Sequence, residues 1–217
     1  MQWNSGYLVA MAVLVCISLR GSSSEEGFVP LFDGKTLNGW VLTGKRTQLG
    51  YLVKDGKIVC PPGGGGNLLT EKEYANFILR FEFKLEEGSN NGLGIRAPLG
   101  ARDVAYDGIE LQIIDNRAER HKNIKPWQKH GSLYHVFPAR TGYLKPAGEW
   151  NREEVVAKGT KIKVILNGTT ILDVDTNDVT DPEVLGRHPG LKRQSGHIGF
   201  LGHNDPVEFR NIRIKEL

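Results

Sequence analysis

The chain has 217 residues, with 27 Gly against 2 Met, and Lys+Arg 28 against Asp+Glu 25. That length suits one sizeable domain, and the glycine-rich, strand-like pattern points to an all-β chain full of tight turns. The charge is too evenly balanced to support a nucleic-acid or anionic-membrane partner.

Residues 1–24 are expected to be an export signal. Tyr7 to Leu19 is a 13-residue apolar run, too short to span a bilayer comfortably and of the right length for a signal core. Arg20-Gly21-Ser22-Ser23-Ser24 supplies small residues for cleavage, although no Lys or Arg precedes the run. Val15 stands before Cys16, where a lipobox has a small residue, so lipid anchoring at Cys16 is not expected. The mature chain should then be periplasmic or extracellular, without a membrane span. It would carry Cys60 as its only cysteine and form no internal disulfide.

Residues 25–217 read as one β-sandwich domain. Asp55-Gly56 joins two short strand-like runs, and both residues tolerate the positive φ of a hairpin turn. Ile78 to Leu85 alternates, with Leu79, Phe81, Phe83 and Leu85 on one face and Arg80, Glu82 and Lys84 on the other. Asp107 to Asp115 alternates too: Ile109, Leu111 and Ile113 point one way, Glu110 and Gln112 the other. A carboxylate and an amide side by side, with no Lys between them, suit a groove that grips hydroxyls and moves a proton. Asn116 to Asn151 is a long insertion rich in aromatics, among them Trp127, Tyr134, Phe137 and Tyr143. Such loops are usually functional or disordered, and aromatics argue against disorder. Flat rings beside polar groups suit the apolar face and hydroxyl rim of a sugar. Asn167-Gly168 makes a second hairpin, and Thr180-Asp181-Pro182-Glu183 fits a helix start that Gly186 and Pro189 soon end. His197–Leu201 and Val207–Ile214 look like a closing strand pair.

Six motifs in order resemble the 3-keto-disaccharide hydrolase domain family. They are Phe32-Asp33-Gly34-Lys35-Thr36-Leu37-Asn38-Gly39-Trp40, Asn90-Asn91-Gly92 through Arg96, and Gly108-Ile109-Glu110-Leu111-Gln112-Ile113-Ile114-Asp115. Gly131-Ser132-Leu133-Tyr134, Gly148-Glu149-Trp150-Asn151 and Gly196-His197-Ile198 through His203 to Ile212 follow. The resemblance covers about residues 28–217. It implies a concanavalin A-like jelly-roll sandwich of two large antiparallel sheets with little helix, acting on 3-keto-glycosides. Asn91 stands where the family usually has Ser, and the stretch before His203 is a residue shorter than the usual pattern.

A ketone at C3 of a sugar acidifies the hydrogen at C2. A base can remove it, the C1 substituent then leaves, and water adds back. This route needs no pair of carboxylates across the anomeric carbon; it needs a tuned acid–base group and donors for the enolate oxygen. Glu110 is the expected base, or a metal ligand if an ion supplies the electrophile, Arg96 the enolate stabiliser, His203 a second acid or base, and Tyr134 a donor to the leaving group. Gln112, Asp115, Asn91, Trp127 and Asn67 are expected to hold the sugar. His130 and His135 could meet in their loop; His188 and His197 read as structural or exposed. No cofactor is required, and a divalent metal stays open. The partner is a small carbohydrate. The competing readings are a non-catalytic lectin-like module and a conventional glucanase. The glucanase would want Glu-x-Asp-x-x-Glu where this chain has Glu110, Gln112 and Asp115.

Overall fold

The computed structural model describes Met1, residues 26–44 and residues 50–217. The expected export segment, Cys16 included, therefore lies outside the described residues apart from Met1. In chain order come β1 (Val29–Pro30), β2 (Trp40–Thr43), β3 (Leu52–Lys54), β4 (Lys57–Cys60), β5 (Gly65–Thr70), β6 (Phe77–Leu85) and β7 (Asn90–Ala97). There follow α1 (Val104–Asp107), β8 (Ile109–Ile114), β9 (Trp150–Lys158), β10 (Lys161–Leu166), β11 (Thr169–Asp175), α2 (Pro182–Arg187), β12 (His197–His203) and β13 (Val207–Glu216).

The described strands form two antiparallel sheets, as expected. One has eight strands in the order β11-β10-β9-β6-β13-β4-β3, with β1 also on β13; the other runs β2-β5-β12-β7-β8. Both hairpin turns hold the positive φ that their residues permit: Asp55 50° and Gly56 72°, Asn167 51° and Gly168 88°. The sheets meet through their apolar faces, where Phe200 of β12 stacks on Phe209 of β13 at 3.7 Å between ring centroids. Phe81 of β6 packs edge-on to Phe200. Each such ring contributes about 1.5–3 kcal/mol by leaving water. Cys60 is a free, buried thiol whose pKa burial pushes up to about 11.

Two features position the outer face of β8. The insertion runs back along this strand's free side: Gly131 N–H donates to the Gln112 carbonyl (2.7 Å), Gln112 N–H to Ser132 (2.9 Å) and Tyr134 N–H to Glu110 (2.9 Å). His130, just before that stretch, is buried against Phe83 and pairs with Glu153 of β9 at 3.0 Å, tying the insertion to the other sheet. The second feature is α1, which the sequence reading missed. Asp103 caps it, accepting the Ala105 N–H at 3.0 Å, and Val104 packs on Leu69, Ala97 and Leu201 over the sheet. At α2 the cap is Asp181, which accepts the Glu183 N–H at 2.8 Å.

Candidate active site

Glu110 is paired opposite Gly94 and Gln112 opposite Gly92, so both point away from the core, as the alternation requires. Glu110 leans over Gly92, the only kind of residue that leaves it room: a β-carbon there would lie 2.1 Å from Oε1. The side chain is buried, 5% exposed, and Oε1 has no hydrogen-bond partner. Burial first, and then the nearby Asp103 charge, push its pKa up to about 8. At neutral pH this carboxyl therefore keeps its proton. Gln112 Nε2 donates to Asn90 Oδ1 at 2.8 Å on the same face.

Aromatic side chains gather beside Glu110. Backbone pairing of Tyr134 with Glu110 sets the phenol next to the carboxyl. Burial raises the phenol's pKa, a Gln128 hydrogen bond opposes this, and the charge of Glu110 adds to the rise. His135 follows in a left-handed backbone, φ 64°, a conformation that costs energy outside glycine and clusters at functional sites. Its ring lies 3.7 Å from Trp127 and 4.8 Å from Tyr134. Tyr106 of α1 and His188, which follows α2, complete the group at 4.8 Å from each other. His188 is 2% exposed, and its Nε2 has no hydrogen-bond partner. Burial holds the imidazoles of both His135 and His188 below the ordinary histidine range. A groove of about 470 Å³, lined by Arg102, Asp103, Tyr106, Asp107, Arg187 and Pro189, opens beside them.

A larger hollow of about 920 Å³ lies on the far face of the eight-stranded sheet. Its carboxylates have local partners: Glu154 pairs with Arg80 at 2.5 Å, Glu82 with Arg210 at 2.7 Å and Glu153 with His130 at 3.0 Å, and Asp33 accepts from Lys35 and Thr36 N–H. The carboxyl of Glu110, pushed up to about 8 by burial, and the aromatic group beside it make the β8 face the better candidate for chemistry.

Glu110, Gln112, Tyr134 and Trp127 thus come together, while other expected site residues do not. Arg96 is not at the site. Gly94 pairs with Gly199 and Ala97 with His197, leaving Arg96 as an extra residue in a bulge, φ 52°. Its fully buried guanidinium donates to the carbonyls of Gly159 (2.5 Å) and Arg193 (3.0 Å). Asn91 faces the interior, its amide donating to the Tyr51 hydroxyl at 3.3 Å. Asp115 is a turn organiser, accepting from Gly88 N–H and Arg117 N–H at 3.0 Å each. His203 and Asn67 do lie on the outer face, opposite Gly65 and Leu201 respectively. His203, however, is exposed and four residues beyond the Gly199–Gly94–Glu110 level, roughly 13 Å along the strand at about 3.3 Å per residue. His130 and His135 do not meet, since His130 turns inward to Glu153. His197 is buried, with Nδ1 2.7 Å from the Thr70 carbonyl. His188 was passed over because nothing in its spacing links it to Glu110. Among the described residues no three His, Cys, Asp or Glu side chains form a metal-ligand set.

Residues 27–215 match the model of the 3-keto-alpha-glucoside-1,2-lyase-like domain. A 3-keto-disaccharide hydrolase of Bacteroides thetaiotaomicron is 30% identical, over 92% of this chain and 82% of that protein. Two crystal structures from Parabacteroides distasonis, described as candidate glycosyl hydrolases, superimpose well. One has a TM-score of 0.75 at 29% identity, covering 88% of this chain and 99% of the other. The second has a TM-score of 0.72 at 27% identity, covering 88% and 94%. A Bacillus subtilis protein of unknown function with a galectin-like fold shares the architecture, with a TM-score of 0.60 at 12% identity, covering 87% and 94%.

Proposed function

This chain belongs to the 3-keto-alpha-glucoside-1,2-lyase-like domain family, and from that membership we propose that it cleaves 3-keto-glycosides by elimination and hydration. The observation that carries the reading is Glu110: a buried carboxyl with an unpartnered oxygen and a pKa pushed up to about 8, set beside aromatic rings. Proton transfer is most efficient when the group's pKa lies near the working pH, and an ordinary surface carboxylate does not meet that condition. Proton exchange with the sugar runs through Glu110. Gln112 holds a hydroxyl, Trp127 offers a face to the ring, and Tyr134 donates to a developing oxyanion. The leading segment directs export, so the substrate is met outside the cytoplasm.

The test is incubation of the protein with 3-keto-glucosides and with matched unoxidised glucosides, following aglycone release with and without chelator. Release from the keto-sugars alone is expected. Equal release from both would overturn the proposal, because the C2 hydrogen of an unoxidised sugar is not acidic enough to leave.

A further inference from the structure

We infer that His188 is a second proton-transfer residue of this site, working opposite Glu110 on a sugar ring held between them. The inference rests on the 3-keto-glycoside reading and adds a residue that sequence spacing hid.

Three observations support it. First, His188 Nε2 and Glu110 Oε1 are both buried polar atoms without a partner. Such atoms cost free energy, and a catalytic role is one reason for a fold to keep them. Second, the His188 ring belongs to the aromatic group beside Glu110. It lies 4.8 Å from Tyr106 and 6.1 Å from His135, which itself lies tilted against Trp127 and edge-on to Tyr134. Third, the segment carrying His188 is clamped to the strand carrying Glu110. A β-carbon on Gly190 would lie 1.9 Å from the Gly108 carbonyl oxygen, two residues before Glu110. That packing fixes the two segments on one frame, as proton-transfer groups require.

Their protonation states are complementary. Glu110 is faced by Asp103 of the α1 cap and by Tyr134 of the insertion, and holds its proton at neutral pH. Around His188 are Asp103, Tyr106 of α1, His135 of the insertion and Arg187 of α2. Burial is the largest influence and keeps the imidazole neutral, with His135 and Arg187 acting in the same direction. An interaction with the Ala105 backbone and the Asp103 charge act the other way. That backbone contact favours a ring proton on Nδ1 and leaves Nε2 as the lone-pair nitrogen. Environments that push two pKa values apart define an acid and a base.

The cycle closes without any other reagent. His188 Nε2 takes the C2 proton, the C–H electron pair becomes the C1=C2 bond, and the C1–O bond breaks as its oxygen takes the Glu110 proton. Water then bonds to C1 and gives its proton to the Glu110 carboxylate. The electron pair of the double bond, held as the C3 enolate, accepts the proton back at C2 from the His188 imidazolium. Glu110, the base expected from the sequence, becomes the acid of the cleavage step.

The experiment compares wild-type protein with His188→Gln and His188→Ala on a 3-keto-glucoside across pH. Wild-type kcat/KM should be bell-shaped, with its alkaline limb near 8. His188→Gln should lose about 10²-fold or more in kcat with KM little changed, and should lose the acidic limb. His188→Ala should regain part of its rate on addition of imidazole. Wild-type kcat in His188→Gln, or an intact acidic limb with no imidazole rescue of His188→Ala, overturns the assignment and leaves the function standing. Wild-type protein inert towards 3-keto-glucosides overturns the function, and this assignment with it.

Discussion

Glu110 and Gly92 form an interlocked pair on neighbouring strands: the carboxyl oxygen of one occupies the place where the other's β-carbon would be, 2.1 Å away. Gly92→Ala should therefore swing the carboxyl off its seat while leaving the sheet hydrogen bonds intact. A fall of about 10²-fold in kcat is expected, with far-UV circular dichroism unchanged. Gly100→Ala is the control, because a β-carbon there meets nothing within 4 Å. Wild-type rate in Gly92→Ala would mean that Glu110's placement is irrelevant to turnover.

Glu110 also makes a prediction about stability. Its native pKa of about 8 lies above the ordinary 4.5. Between those values the native state binds more protons than the unfolded chain, so stability falls as pH rises. Glu110→Gln removes that loss. Relative to wild type, the variant should gain roughly 2–4 kcal/mol between pH 5 and pH 8 in urea denaturation. It should retain ligand binding while losing about 10²-fold or more in turnover. A pH-independent difference between the two proteins would contradict the raised pKa.

Arg96 behaves differently. Its guanidinium serves backbone carbonyls from two separate loops, so Arg96→Ala leaves buried acceptors unsatisfied. A loss of about 2–4 kcal/mol is expected, read as a lower melting temperature. Activity per folded molecule, measured well below the melt, should stay within about threefold of wild type, since Arg96 touches none of the reacting groups. A specific loss of kcat would return it to the site.

For Trp127 the effect should fall on binding. Its ring lies against His135 and Tyr134, and its loss removes one apolar face for the sugar. Trp127→Ala is expected to raise KM about tenfold, equivalent to about 1.4 kcal/mol, with a smaller change in kcat. An unchanged KM would place the sugar elsewhere in the groove.

Much of this was legible from side-chain alternation and turn residues. The Asp55-Gly56 and Asn167-Gly168 hairpins follow from residues that tolerate positive φ. Glu110 and Gln112 share a face because strand parity leaves no choice. Arg96 defeated the same reasoning, because one extra residue in β7 reverses parity and turns its side chain into the interior. Asn91 was misread through its neighbour: Asn90 is the residue that faces Gln112. His188 lies 78 residues beyond Glu110 in the chain. Tertiary packing, of Gly190 on Gly108 and of the His188 ring on Tyr106, brings it to this face, and periodicity carries no information about those contacts.

The backbone bonds from Gly131, Ser132 and Tyr134 to β8 have a cost beyond catalysis. The segment that presents the phenol is also what shields the last strand of its sheet from neighbouring molecules. Proteolytic nicking there should not leave a soluble, idle lectin. It would bare a row of unsatisfied amides and carbonyls and send the damaged protein into aggregates, so chemical competence and colloidal safety are lost in the same event.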